Sequence, residues 1–271
     1  MEYLYHYTNV ETFKLIVESS KFRFNSLANV DDEEEMETNN FGNLGRFCYV
    51  SCWTDKHEES IPLWKEYTTP TEGIRLKLPK NIFKTLLDCG ISNEQFLQLG
   101  ASQMDLNNFH GWPYTNGLAE IERENKVIFM PRIVNLFPVT YTKDPELLHY
   151  TVFHEDDNNS QLETNLIGKF KRLDWKYQSE WRYKLFTFPF SLFSIIQNPQ
   201  IMQDQAKILQ TLKSGEIESN FFDIPFDIKS LDNIEITTSP VISIEASQKL
   251  KEILRNIPNY QLIPSEQRWR K

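Results

Sequence analysis

Glycine is scarce in this chain, and its scarcity narrows the chemistry first. Only 9 of the 271 residues are Gly. Neither a G-x-G-x-x-G run nor a P-loop pattern occurs, which excludes a Gly-rich phosphate cradle as the organising device. Cysteine is scarce too: Cys48, Cys52 and Cys89 form no C-x-x-C pair, and the odd count suits a reducing compartment. His149 and His154 lie near Glu155, but the run Asp156-Asp157-Asn158-Asn159-Ser160 reads as a solvated loop, so no metal is expected. No apolar run is long enough to cross a bilayer, and residues 1–20 carry charges throughout, unlike a secretory signal. The expectation is a soluble cytoplasmic protein with no membrane partner. An excess of positive charge is missing as well. A net charge of -9 argues against the broad basic surface of a non-specific nucleic-acid binder, while leaving room for a local groove.

No stretch is rich enough in Pro, Gly or Ser to divide the chain, and no internal repeat is evident. One domain over residues 1–271 is expected, with residues 190–271 as a C-terminal extension, either a target-recognition lid or closing strands. Aromatic residues are plentiful at 13%, and they mark the strands. Tyr3, Tyr5 and Tyr7 alternate with Leu4, His6 and Thr8 in a first strand; Thr8 and Glu11 then form a capping box for a helix carrying Val10, Phe13, Ile16 and Val17. A second short strand covers residues 21–26. The acidic run Asp31-Asp32-Glu33-Glu34-Glu35 reads as a solvated loop. In the strand over residues 46–54, Tyr49, Ser51 and Trp53 share one face, with Cys48, Val50 and Cys52 on the core face. A serine between aromatics suits a pocket floor.

Pro62 opens a short helix through Leu63, Trp64 and Tyr67. Residues 73–78 are a strand, and a helix follows from Pro79. Residues 92–125 are partly helical, residues 126–130 and 133–141 are strands, residues 142–160 are mostly loop, and residues 160–172 are a helix. Residues 202–212 and 246–257 are helices; residues 234–237 and 241–245 are short strands. Strands dispersed among helices without strict β-α alternation give an α+β class.

The organising stretch is Tyr177-Gln178-Ser179-Glu180-Trp181-Arg182-Tyr183, where an apolar strand leaves a polar loop. An extended run from 178 puts Gln178, Glu180 and Arg182 on one face. A carboxylate and an amide so placed hold one hydroxyl-rich ligand together and set a negative charge where positive charge develops in a transition state. The plainer reading pairs Glu180 with Arg182 on a solvated face.

Taken in order, Tyr5-His6-Tyr7-Thr8, Ser26-Leu27 with the acidic run 31–35, Ser51-Cys52-Trp53-Thr54, Leu63-Trp64-Lys65-Glu66-Tyr67 and Gln178-Ser179-Glu180-Trp181-Arg182 resemble a bacterial family of unknown function. Its members carry a Tyr-His-Tyr-Thr start, an Asn-Asp-Pro-x-Glu loop and a late Glu-x-Glu-Trp-Arg strand. That family in turn resembles the ADP-ribosyltransferase superfamily of the His–aromatic–Glu type. The resemblance implies an ADP-ribosyltransferase-like split β-sandwich with flanking helices and NAD as co-substrate. By position, His6, with Tyr7 and Thr8 beside it, would bind NAD. Ser51 would support the nicotinamide pocket, and either Trp53 or Tyr67 would stack on nicotinamide. Glu180 and Gln178 would be catalytic. The chain departs from the pattern at the Asn-Asp-Pro loop and at Gln178. Gln in place of Glu accompanies acceptors other than arginine in that superfamily, which fits the need of a guanidinium for a carboxylate partner.

The expected activity is mono-ADP-ribosyl transfer to a macromolecule, either a nucleobase of RNA or DNA or a protein side chain. Lys169, Lys171, Arg172, Lys176, Arg182 and Lys184, with Trp175 and Tyr177 interleaved, suggest a basic collar for a nucleic-acid strand. A toxin or phage-defence role with a neutralising antitoxin partner is consistent with such an enzyme. An NAD glycohydrolase and an inactive NAD-binding module are the alternatives.

Overall fold

The computed structural model describes residues 2–30, 32–83, 128–129, 135–155, 160–188, 205–215 and 220–268. The tyrosine-rich start forms β1 (Tyr3–Asn9), and α1 (Val10–Ser19) follows without a break. The chain continues through β2 (Lys21–Ser26), the short pair β3 (Glu37–Thr38) and β4 (Gly42–Asn43), and β5 (Cys48–Thr54). Next come α2 (Ile61–Tyr67), β6 (Gly73–Pro79), β7 (Ile128–Phe129), β8 (Asn135–Pro138), β9 (Thr140–Thr142) and α3 (Pro145–Leu148). After β10 (Phe153–Glu155), β11 (Ser160–Leu162) and β12 (Phe170–Arg172) lies β13 (Glu180–Phe188). The last described elements are α4 (Gln205–Ser214), β14 (Phe221–Pro225), β15 (Glu235–Thr238), α5 (Ile244–Leu254) and β16 (Gln261–Pro264).

Ten of these strands form one sheet with helices packed against it, a mixed α/β fold at the level the α+β expectation anticipated. Its topology forks at β5. One edge of β5 pairs antiparallel with β13, from Glu180 opposite Thr54 to Phe186 opposite Cys48. The other edge is shared by two strands: β2 meets it at Val50 and Tyr49, and β1 meets it only at Thr54, opposite Tyr5. From there the arms part. β2 continues to β14, and β1 continues through β6 and β15 to β16. Among the described residues, Ser51 to Trp53 have no strand on that edge, and a gap opens between β1 and β2. Residues 221–264 thus add three strands to the same sheet.

β5 is buried on both faces, as a strand covered on each side must be. Tyr49 and Trp53 join the larger core with Leu4, Phe13, Leu76, Ile236 and Leu250, beneath α1 and α5. Cys48 and Val50 join a second core with Phe47, Tyr150, Ile167 and Leu212. Cys52, expected in the core, packs against this second core but is only half-buried, at the gap.

Several local expectations are corrected. The capping box is not formed: β1 runs through Thr8, and Asn9 precedes the helix without a side-chain cap. The Asn9 amide oxygen instead accepts from Thr69 N and Oγ1 at 2.7 and 3.1 Å, tying α1 to the end of α2. Residues 160–172, read as a helix, are β11, a 3-10 turn and β12, and residues 142–160 contain α3 and β10. Residues 241–245 lead into α5 rather than forming a strand. The helix expected from Pro79 does not start there: β6 runs through Pro79, and residues 80–83 are turn and bend. Its continuation, the helical parts expected through residue 125 and the start of the helix at residue 202 lie outside the described residues.

The acidic run is the largest correction. Asp32 and Glu35 are buried and ion-paired, Asp32 to Arg172 and Glu35 to Lys171 and Arg182. Charge periodicity cannot foresee this, because the cations are supplied from distant strands.

Candidate active site

The fork builds a cavity. It has a volume of about 300 Å³, at the lower end of the roughly 300–1,000 Å³ usual for small-molecule sites. His6 sits at the point of divergence, where Nδ1 donates to the carbonyl oxygen of Cys52 at 3.0 Å. The side chain thus takes the place of a ladder hydrogen bond that β1 no longer makes. Burial pushes the His6 pKa down to about 4, against the raising effect of that carbonyl, so the ring is neutral at pH 7. With the proton on Nδ1, Nε2 is left as an acceptor.

The other residues singled out in the sequence fall into distinct environments. Tyr7, Ser51, Trp53, Tyr67, Gln178 and Glu180 all line the cavity with His6, whereas Thr8 is buried and does not. Trp53 is only 3% exposed; its indole donates to Ser51 Oγ at 3.0 Å, and its ring packs against His6, Phe22 and Tyr183. Tyr67, at 41% exposed, stands at the wall with its hydroxyl accepting from Gln178 Nε2 at 2.7 Å.

Gln178 and Glu180 do not share a strand face. Residues 173–178 form a 3-10 turn, and Ser179 is left-handed at φ 43° and ψ 52°. That kink, not strand alternation, brings both side chains to one point, the Lys171 ammonium. Lys171 Nζ donates to Gln178 Oε1 at 2.9 Å and to Glu180 Oε2 at 3.3 Å. Arg182 forks onto the same carboxylate, Nε to Oε1 at 2.6 Å and Nη2 to Oε2 at 3.0 Å. The pairing of Glu180 with Arg182 is therefore real, but on a buried face. The Cys52 thiol donates to Glu180 as well. Burial alone would raise the Glu180 pKa; Arg182 and Lys171 outweigh it and hold the carboxylate well below the usual range, ionised. The Cys52 thiol is pushed up by burial and by Glu180, so it stays a neutral S–H.

Sequence reasoning did not single out Lys171, Glu35 or Cys52 as site residues, and the basic collar is corrected. Lys171, Arg182 and Lys184 are buried, and Arg172 pairs with Asp32 and Glu34. Lys184 is spent on three carbonyls, of Thr164, Asn165 and Ile167, at 2.9 to 3.0 Å. Four of the six cations are thus structural. Among the described residues, no group of three or more His, Cys, Asp or Glu side chains is placed to hold a metal, and no helix is long and apolar enough to cross a membrane.

No protein family matches the chain, and no curated protein does. Among solved structures the chain is similar to Thermus sp. 2.9 DarT in complex with carba-NAD+, at 11% identity and a TM-score of 0.29, covering 98% of this chain and 95% of that chain. A likeness that slight carries no argument about activity, and the chemistry has to come from the cavity's own residues.

Proposed function

We propose that the chain is an NAD-dependent ADP-ribosyltransferase with its active site in the fork between β1 and β2. The observation that carries this reading is the meeting of a neutral His6, an ionised Glu180 and an exposed aromatic, Tyr67, around one cavity. His6 Nε2 accepts from a ribose hydroxyl. Tyr67 stacks on nicotinamide, a role its exposure supports over the enclosed Trp53, while Ser51 and Trp53 brace the floor and Tyr7 the wall. Thr8 lies behind these groups. Glu180 accepts from the nicotinamide-ribose 2′-hydroxyl and faces the positive charge that grows at C1′. As the C1′–N bond breaks, its electron pair leaves with nicotinamide. The acceptor's lone pair then forms the new bond to C1′, and its proton passes to solvent.

Gln178 offers no carboxylate to orient a guanidinium, which supports an acceptor other than arginine, a nucleobase or a neutral protein side chain. Both ends of its amide are engaged, by Lys171 and Tyr67, so it acts by holding Tyr67 rather than by touching the acceptor. With four of the six collar cations engaged in internal pairs, charge no longer favours nucleic acid over protein. Use as a toxin or phage-defence effector under an antitoxin is consistent with either acceptor.

One observation favours a second reading. A carboxylate offers about four acceptor positions, and those of Glu180 are met by Arg182 twice, by Lys171 and by Cys52. If none yields, the chain binds NAD without cleaving it. Incubation with NAD labelled in the adenylate, together with cell lysate, RNA or DNA, tests the proposal. Label transferred to one pool supports a transferase and names the acceptor class. Nicotinamide release without transfer makes it a glycohydrolase, and binding without release makes it a binding module.

A further inference from the structure

Glu180 is gripped by two buried cations but contributes one negative charge. Lys171 is 5% and Arg182 1% exposed at the side chain. Left to themselves, the three groups would carry a net positive charge in the cavity wall itself, which opposes a positive transition state in front of it. Glu35, with a side chain 1% exposed, supplies the missing charge. Its Oε2 accepts from Arg182 Nη1, and its Oε1, which makes no directed hydrogen bond, lies 3.1 Å from Lys171 Nζ. Glu35 and Glu180 therefore alternate with Lys171 and Arg182 in a closed, neutral quartet. Glu35 does not line the cavity. It is carried by the 3-10 turn Glu33–Met36, and the preceding Asp32 is clamped by Arg172 at 3.0 to 3.1 Å.

We propose that Glu35 is a positioning residue that neutralises the second cation on Glu180 and so leaves the catalytic carboxylate able to stabilise positive charge. The inference rests on the transferase reading for its effect on turnover, but the charge balance itself can be read without turnover. Low-dielectric surroundings make such a balance matter far more than on a surface.

The test uses the full chain with Glu35→Gln, Lys171→Met and the double variant, whose Arg182 and Glu180 again balance. Glu35→Gln is expected to lower kcat for nicotinamide release on the order of 10²-fold, comparable to removing one electrostatic stabiliser, with little change in KM for NAD. The double variant is expected to recover at least about tenfold of that loss. If Glu35 merely props its turn, the double variant will be as slow as Glu35→Gln or slower, which overturns the proposal.

Cys52 gives the readout independent of activity. It faces Glu180, Arg182 and Lys171 and lines the cavity. The pH midpoint of its alkylation by iodoacetamide, located by peptide mass spectrometry, should fall in Glu35→Gln, rise in Lys171→Met and return in the double variant. A midpoint indifferent to Glu35→Gln overturns the proposal even if the wild type releases no nicotinamide. Should Glu35→Gln fail to fold, a Lys171→Met midpoint that does not rise does the same.

Discussion

Arg182 holds Glu180 side-on, Nε to Oε1 at 2.6 Å and Nη2 to Oε2 at 3.0 Å, with both side chains buried. A carboxylate in a two-pronged grip has its plane fixed. The third guanidinium nitrogen reaches Glu35 and the Gly168 carbonyl, so Arg182 adds to the Lys171–Glu35 and Arg172–Asp32 ties between these two segments. Arg182→Met should strand Glu180 and Glu35 beside Lys171 and cost about 3–5 kcal/mol, the usual result of removing one member of a buried ion pair. Arg182→Lys should recover little of this, because an ammonium cannot present the fork. Urea midpoints for both variants check the prediction.

Ser179 should report on the kink that aligns the site. A left-handed conformation at φ 43° is strained for a residue with a Cβ and much worse for a β-branched one. Ser179→Gly is expected to keep or raise the melting temperature and retain activity. Ser179→Val should lose about 1–3 kcal/mol and scatter Gln178 and Glu180. Paired thermal melts and nicotinamide-release assays separate the two outcomes.

Gly168 stands at φ 74°, and a Cβ there would lie 3.2 Å from Leu27 Cδ2 and 3.5 Å from Arg182 Nη1. The same residue's carbonyl accepts from Arg182 at 2.9 Å. Gly168→Ala should therefore destabilise by about 1–2 kcal/mol through the backbone and also weaken turnover, by shifting Arg182. Equilibrium unfolding and kcat, measured together, test both halves.

His6 sets a pH dependence. Burial, partly offset by the Cys52 carbonyl, holds its folded pKa at about 4, below the 6.5 of a free histidine. Between those values the unfolded chain binds the extra proton and the folded chain does not. The contribution to stability is thus fully present above pH 6.5, falls as pH drops through the window, and is flat below 4. The loss should be on the order of 1–3 kcal/mol. In His6→Gln that part of the slope should vanish, which unfolding free energies measured from pH 4 to 7 will show.

Part of the site was legible because its residues sit on short, strongly patterned strands. A serine between aromatics on one strand face pointed to Ser51, whereas His6 and Tyr67 became candidates through the resemblance rather than through local pattern. The partners that tune them were not legible. Glu35 lies in an acidic run that reads as solvated until Lys171 and Arg182 arrive from β12 and β13. Lys171 itself was counted as surface charge. Gln178 and Glu180 were read together for the wrong reason, since strand alternation does not apply across a 3-10 turn and a left-handed serine. The fork was equally hidden: nothing in the sequence of β5 says that one of its edges is divided between β1 and β2.

The central claim is that Glu180 acts on the glycosidic bond of NAD. The most direct measurement is nicotinamide release from NAD by the wild type and by Glu180→Gln, which keeps the side-chain shape but removes the charge and replaces one accepting oxygen with an NH2 that cannot accept from Arg182 or Lys171. Release by the wild type and a loss on the order of 10²-fold or more in the variant, with NAD binding retained, is the predicted result. Equal release from both proteins, or none from the wild type with any acceptor, would contradict it.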